Sequence, residues 1–154
     1  MENNSDNNSD KQTVSFSALD TLVGYKIRRA QLNYFNHFQA TFAEDGVSPG
    51  QFGVLSIVAE NPGLTQTAVA QALGNDRSAM VAVVDRFEKD GLIERRPVEN
   101  DRRSYALYLT DAGTDYYASL YAKAREHEAR FDAIMTPEEK GWLLDILQRL
   151  ADVS

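Results

Sequence analysis

Cysteine is absent from this chain of 154 residues. Its absence excludes a disulfide framework, a thiol nucleophile and cysteine metal ligands, and it is consistent with a cytoplasmic protein. Long apolar runs are also lacking. None approaches the roughly 20 residues that span a bilayer, and the N-terminus has no signal-peptide core. The sequence therefore predicts a cytoplasmic protein that has no membrane partner.

Residues that carry out catalysis are scarce as well. The chain has two histidines, His37 and His127, and no glycine-rich phosphate loop or recognisable nucleophile motif. The acidic neighbours Glu126 and Glu128 would point away from His127 on a helix and so supply no cluster of metal ligands. We therefore expect no enzyme activity, no metal and no cofactor. An enzyme with an unrecognised site is one rival, which a turnover screen would have to revive.

The net charge of −7 is unevenly distributed. Between Leu64 and Thr110, seven Lys and Arg residues balance seven acids, so the whole acidic excess lies outside this stretch. Four of those bases fall between Arg95 and Arg103. Such a segment can neutralise DNA phosphates locally, while the acidic remainder limits non-specific affinity. The second rival function is an acidic helical adaptor that binds protein and not DNA.

The stretch from Leu64 to Phe87 has the pattern of two short helices joined by a turn. Thr65 is placed as the N-cap of the first helix, and Gly74 supplies the backbone freedom that ends it. The predicted inward face of this helix consists of Ala68, Val69, Ala72 and Leu73. Asn75 and Asp76 would cap the second helix, whose inward face is formed by Met80, Val83, Val84 and Phe87.

The outward face of the second helix is unusually small. It consists of Arg77, Ser78, Val81, Ala82 and Asp85. A slim face near a helix N-terminus can enter the major groove closely enough to reach base edges, which makes Arg77, Ser78 and Val81 the candidates for sequence readout. We expect Asp85 to point toward Arg86 or the following hairpin and away from DNA.

A two-stranded hairpin follows Gly91. The segments LIERRPVE and SYALYLT read as strands, and Pro97 suits an edge strand. The connecting loop from Glu99 to Arg103 contains Asn and Asp, which tolerate turn conformations. The hairpin would therefore carry two arginines, Arg102 and Arg103, into solvent at its tip.

Helices flank this segment on both sides. Residues 1–17 are rich in Asn, Ser and Asp and are expected to form a disordered arm, after which a helix runs from about Ser17 to Ala43. Later helices begin at Ser48-Pro49, Thr110-Asp111 and Thr136-Pro137, and Gly113 is expected to weaken only the first turn of the helix that begins at Thr110-Asp111. The last one carries an apolar stripe that we interpret as a dimer interface, formed by Trp142, Leu143, Ile146, Leu147 and Leu150.

Two motifs resemble those of a known family. DRRSYALYLTDAG resembles the wing signature of the MarR family of transcriptional regulators, and DRFEKDGLIERR resembles the exit of that family's recognition helix. The resemblance extends from about Leu19 to the C-terminus. It implies a mainly α fold with a small β wing, in which a winged helix-turn-helix domain (46–110) joins a helical dimerisation region (18–45 and 111–154) of an intertwined homodimer.

The resemblance also implies a function. Proteins of this kind are ligand-responsive repressors that bind a pseudo-palindromic double-stranded DNA operator and are released by a small aromatic effector. By the wing pattern, Arg103 reaches the minor groove and Asp101 orients it, while Arg102 contacts phosphate or nothing. The full set of predicted DNA-binding residues is Thr65, Gln66, Arg77, Ser78, Ala79, Val81, Ala82, Arg86, Arg102 and Arg103.

The resemblance also implies a class of effector. The passage ENPGLTQTAVAQALGNDRSAMVAVVDR is similar to the MarR branch that controls aromatic-acid catabolism, some members of which respond to hydroxycinnamoyl-coenzyme A thioesters. An aromatic acyl-CoA needs an apolar slot and cations for its phosphates, whereas a free acid needs one cation. The aromatic candidates, which also suit a core, are Tyr34, Phe38, Phe52, Tyr116 and Tyr117. The basic candidates, which also suit a solvated face or salt bridges within a dimer, are Lys26, Arg28 and Arg29.

Overall fold

A computed structural model describes residues 15–74, 77–98 and 101–153, with Arg77 and residues 101–103 described by their backbone alone. The predicted arm therefore lies outside the described residues as far as residue 14, as do the predicted caps Asn75 and Asp76. Within these residues, six α-helices and two strands follow one another: α1 (Val23–Thr41), α2 (Pro49–Glu60), α3 (Gln66–Ala72), α4 (Arg77–Lys89), β1 (Ile93–Val98), β2 (Asp101–Leu109), α5 (Asp111–Asp132) and α6 (Pro137–Ala151).

The chain divides into two units within α1, the first ending at Tyr34 and the second beginning at Phe35. In the first unit, α1 begins at Val23, later than the predicted start near Ser17. Residues Leu19–Thr21 form a separate 3-10 turn, and Leu22 has an extended backbone (φ −92°, ψ 121°) that interrupts the helix. Phe16 stacks on Tyr25 across this break, with ring centroids 6.3 Å apart.

The core of the second unit is formed by one face from each of five helices and by the hairpin. Its fully buried residues include Phe42 just after α1, Leu55 of α2, Phe87 of α4, Leu107 of β2 and Leu120 of α5. Helix α2 begins with a capping box in which Ser48 and Gln51 satisfy each other's backbone N–H groups, and Pro49 occupies its first turn. Local signals thus determine where α2 begins, and its apolar side packs into this core.

The hairpin is antiparallel, and its register runs from Ile93 opposite Leu109 to Pro97 opposite Tyr105. A shift between Pro97 and Val98 then brings Val98 opposite Asp101. A proline cannot donate to a ladder, so its position at this irregularity fits the predicted edge strand. The other edge of β2 is paired by the segment before α3, because Leu107 N–H donates to the Leu64 carbonyl oxygen at 2.9 Å.

Gly113, in the first turn of α5, lies against the start of the hairpin. A Cβ atom at this position would be 1.9 Å from the carbonyl oxygen of Leu92. The sequence suggested only that this glycine weakens the first helical turn; the structure shows that the close approach of the two backbones requires it. Thr110 fixes the same junction, since its hydroxyl group donates to the Gly91 carbonyl oxygen and accepts from Gly113 N–H.

Helix α6 contributes no buried residue to the described chain. It begins where the sequence predicted, with Pro137 in its first turn, and Thr136 and Glu139 form a capping box. Its apolar side chains are exposed, among them Trp142 (61 %) and Leu144 (58 %). A contiguous exposed apolar face of this kind marks an interaction surface.

Candidate nucleic-acid interface

Helices α3 and α4 form the predicted helix-turn-helix. The Thr65 hydroxyl group accepts from Ala68 N–H at 3.2 Å, which confirms the N-cap. Gly74 has a φ of +62°, so a residue with a side chain would be strained at this turn. One detail of the predicted inward face is wrong: Ala70 is buried and Ala72 is exposed, because this two-turn helix packs Val69 and Ala70 into the core.

The two faces of α4 agree with the prediction. Met80, Val84 and Phe87 are almost fully buried, and Val83 is partly buried. The outward face exposes small side chains, namely Ser78, Ala79, Val81 and Ala82. Val81 is 42 % exposed although it is apolar. A shallow groove of 170 Å³ runs between α3 and α4 beside it, lined by Gln66, Thr67, Ala70, Met80 and Val81.

Arg95 of β1 connects the hairpin to both helices. Its guanidinium group binds Asp85 at 2.5 Å and also Glu88, both on α4. Two of its nitrogens donate to the side-chain oxygen of Gln66 on α3, each at 3.2 Å. The Arg95 side chain is only 16 % exposed. Asp85 therefore points to the hairpin as predicted, but Arg95 holds the hairpin and two helices together instead of facing phosphates.

Two other arginines of this segment have partners within the chain. Arg86 donates to the Gly46 carbonyl oxygen at 3.4 Å and lies 3.7 Å from Asp90. Arg96 pairs with Glu94, and its guanidinium carbon lies 4.1 Å from the centre of the Tyr108 ring. The sequence predicts that both arginines are available to DNA, but the tertiary fold gives each of them a partner within the chain.

The loop between α1 and α2 is bound to both α4 and α5. Besides the contact from Arg86, the carboxylate of Asp45 binds Lys123 of α5 at 2.7 Å, and Tyr116 of α5 donates to the Asp45 carbonyl oxygen at 3.5 Å. The hydrogen bond to Asp45 raises the pKa of Lys123. Burial, followed by the charge of Asp45, raises the pKa of Tyr116. The Lys123 ammonium group and the Tyr116 hydroxyl group therefore stay protonated at neutral pH. Through Asp45 and Gly46, the loop connects α5 to α4.

The tip of the hairpin carries three predicted residues that the structure describes only as backbone. Asp101, Arg102 and Arg103 are the first residues of β2, and Asp101 lies opposite Val98 of β1. Their side chains lie outside the described residues, and so does the side chain of Arg77 at the start of α4. The predicted DNA contacts of these four residues stay predictions.

Several predicted effector residues form an aromatic cluster in the second unit. Phe38 stacks on Phe42, with centroids 4.1 Å apart, and lies 6.1 Å from Phe52. Phe52 in turn stacks on Tyr117 at 6.1 Å. Tyr116 precedes Tyr117 along α5, but its hydroxyl group faces Asp45. The structure thus brings Phe38, Phe52 and Tyr117 together and gives Tyr116 a different environment.

A histidine pair adjoins this cluster, and no sequence pattern predicted it. The Nδ1 atoms of His37 and His127 lie 2.6 Å apart, so one of them donates and the other accepts. Phe38 and Phe131 pack edge-on against the His127 ring, which is 2 % exposed. Burial, followed by the charge of His37 and that of Arg130, lowers the pKa of His127. A pairing across 90 residues leaves no local pattern in the sequence.

The remaining predicted effector residues belong to the first unit. Lys26 forms an ion pair with Asp20 at 2.8 Å, and the guanidinium carbon of Arg29 lies 6.0 Å from the Tyr25 ring centre. Arg28 and Tyr34 are exposed. The ion pair of Lys26 is formed within one chain, whereas the sequence suggested solvent or a dimer partner.

Neither a metal-binding cluster nor a membrane-spanning helix is found in the described part of the molecule. No group of three or more His, Cys, Asp or Glu side chains there could hold a metal ion. No described helix combines the length and the apolar character that crossing a membrane requires.

Comparison with known proteins identifies the class to which this arrangement belongs. The model of the MarR family matches residues 45–104. The chain is 36 % identical to a putative transcriptional regulatory protein for the hcr operon of Thauera aromatica, over 93 % of this chain and 87 % of that protein. The chain therefore belongs to the MarR family of winged helix-turn-helix transcriptional regulators. It is a ligand-responsive DNA-binding repressor of the MarR type and not an enzyme, as the sequence predicted.

Two solved structures of the transcriptional repressor CouR are also similar. The one bound to a 23-mer DNA duplex has a TM-score of 0.85 and is 36 % identical, covering 90 % of this chain and 99 % of its own. The one bound to p-coumaroyl-CoA has a TM-score of 0.81 and is 32 % identical, covering 92 % and 100 %. These matches confirm the fold class, a mainly helical winged helix-turn-helix with a two-stranded wing.

Proposed function

We propose that this protein represses transcription as a homodimer on a pseudo-palindromic operator and that an aromatic acyl-CoA thioester releases it. The observation that carries the proposal is the similarity to CouR, for which one structure has DNA bound and another p-coumaroyl-CoA. A ligand that binds better to a DNA-incompetent form shifts the population away from the operator complex.

The exposed apolar residues support the homodimer. Helix α6 exposes its whole apolar face, and the first unit exposes Leu22 and Val23 at 53 % and 61 %. One recognition helix and one wing read few base pairs, so two-fold symmetry with half-sites roughly 34 to 36 Å apart is the usual route to specific affinity. We assign dimerisation to residues 18–45 and 111–154, and DNA binding to residues 46–110.

For DNA we propose three groups of contacts. The outward face of α4 enters the major groove, Thr65 and Gln66 approach the phosphates, and Arg103 of the wing enters the minor groove with Asp101 holding it. Arg103→Ala should then lower operator affinity by roughly 1 to 3 kcal/mol and leave the dimer mass unchanged. Unchanged operator affinity would contradict the assignment of the wing.

For the effector we propose separate roles for the two units. In the second unit, the cluster of Phe38, Phe52 and Tyr117 offers aromatic faces to a phenyl ring, and Phe52 is only partly buried. In the first unit, exposed Arg28 and Arg29 offer guanidinium groups to the coenzyme phosphates. Each assignment is tested by its own variants.

The test is a titration of a preformed complex between the protein and the upstream region of its own operon, followed by fluorescence anisotropy. p-Coumaroyl-CoA should release the DNA, whereas coumarate, salicylate and coenzyme A should not. Phe52→Ala should weaken the response to the thioester, and the double variant Arg28→Ala/Arg29→Ala should do the same; Arg149→Ala, which removes an exposed arginine of α6, serves as the control. Release by the free acids alone would remove the coenzyme A part of the proposal. If the protein binds no DNA at any salt concentration, the rival function, an acidic helical adaptor that binds protein, is favoured.

A further inference from the structure

Beyond Arg77 at its first position, the recognition helix presents an outward face that lacks the usual side chains for reading purines. From Ser78 to Asp85 the sequence contains no Arg, Lys, Asn or Gln. Those four side chains form the bidentate hydrogen bonds that identify guanine and adenine in the major groove. This stretch of α4 must therefore obtain sequence information in another way.

The acidic residue of this stretch is already engaged. A carboxylate can accept from the amino group of cytosine, but Asp85 binds Arg95 at 2.5 Å. Arg95 in turn is largely enclosed by the hairpin and the two helices. Cytosine readout by Asp85 would require breaking this contact, so the face offers mainly apolar surface to the bases.

Val81 is the largest apolar side chain on that face. It is 42 % exposed, and together with Met80 and Ala70 it lines the 170 Å³ groove between α3 and α4. Among the groups that base pairs display in the major groove, the C5-methyl group of thymine is the apolar one. A methyl group placed against Val81 would bury apolar surface on both partners.

We infer that Val81 and the groove beside it form a recognition site for a thymine methyl group, so that each operator half-site requires a thymine at one fixed position. The inference rests on the proposed DNA-binding function and adds the base and the group that α4 recognises. It also explains why this face has small neighbours: the Ser78 and Ala82 side chains let Val81 approach the base edge closely.

The test replaces each thymine of the operator by deoxyuridine, which removes only the methyl group. At one symmetry-related position, affinity should fall about three- to fivefold per half-site, the effect expected from burying one methyl group. Replacing the same T·A pair by C·G should weaken binding, and 5-methylcytosine should recover a similar factor over cytosine. Val81→Ala should bind more weakly and should no longer distinguish thymine from deoxyuridine. Ser17→Ala, which shortens an exposed side chain outside the residues assigned to dimerisation and DNA binding, should behave as wild type.

Two results would overturn the inference. One is a wild-type protein that binds its operator with the same affinity after every deoxyuridine replacement. The other is a Val81→Ala variant that keeps the full sensitivity to the methyl group. In both results the wild-type protein still binds its operator. If the wild type instead binds no duplex, the proposed function fails and this inference fails with it.

Discussion

Replacing Arg95 by alanine should weaken both the fold of the DNA-binding segment and its affinity for DNA. The Arg95 side chain contacts Asp85 and Glu88 on α4 and Gln66 on α3. The two carboxylates are 58 % and 42 % exposed, so water can solvate them when the guanidinium is removed. Each ion pair is therefore worth at most about 1 kcal/mol.

The remaining loss comes from the buried part of the network. Arg95 is 16 % exposed and donates twice to Gln66, and a hydrogen bond from a charged group contributes about 1.5 to 3 kcal/mol. With the packing of its aliphatic stem included, we expect Arg95→Ala to lower the free energy of unfolding by about 2 to 4 kcal/mol. The variant also leaves Asp85 uncompensated near the DNA, which should cost further affinity.

Urea unfolding and operator anisotropy, measured on the same samples, separate these two effects. Arg95→Ala/Asp85→Asn should recover part of the DNA affinity, because the uncompensated charge is gone, and little of the stability. Arg96→Ala is the matched control, since Arg96 is 58 % exposed and, among the acidic side chains that the structure describes, pairs only with Glu94. If Arg95→Ala unfolds at the same urea concentration as the wild type, the network does not stabilise the fold. If the double variant binds no better than the single one, the electrostatic argument is wrong.

Two further predictions concern stability. Gly113→Ala should lower the free energy of unfolding by about 3 kcal/mol or more, because its Cβ atom would meet the Leu92 carbonyl oxygen. Gly141→Ala is the control: its Cβ atom would have no heavy atom within 4 Å, so this variant should raise the free energy of unfolding by about 0.5 to 1 kcal/mol. Equal urea midpoints for the two variants would contradict the close approach. The lowered pKa of His127, caused first by burial and then by His37, means that the unfolded chain binds a proton at higher pH than the folded one. Stability should therefore be complete above the ordinary pKa of 6.5 and fall as the pH decreases below it. His127→Gln should reduce this dependence between pH 7.5 and 5.5, and an unchanged slope would assign it to other groups.

The parts of the fold that the sequence predicted are those determined by short-range chemistry. Thr65, Ser48 and Thr136 were recognised as N-caps because the cap and its partner N–H group lie three residues apart. The two faces of α4 followed from helical spacing alone. Since both signals lie within one or two turns of a helix, no knowledge of the tertiary structure was needed.

The parts that the sequence did not predict depend on contacts between distant elements. Arg95 looked like a base available to phosphate, and only the packing of β1 against α3 and α4 shows that its charge is already used. Gly113 looked like a weak helix residue until the path of Leu92 beside it was known. The pairing of His37 with His127 brings together α1 and α5, and neither neighbourhood in the sequence indicates it.

The same contacts limit how strongly salt should affect operator binding. Of the seven bases between Leu64 and Thr110, three have acidic partners among the side chains that the structure describes, namely Arg86, Arg95 and Arg96. Even if each of the other four contacts a phosphate, a dimer neutralises about eight, so the slope of log K against log salt concentration should be no steeper than about −7. Measurements of operator affinity between about 50 and 300 mM salt check this limit. A steeper slope would mean that one of the three paired arginines leaves its partner for DNA, and Arg96→Ala, which removes the most exposed of them, would then make the slope shallower.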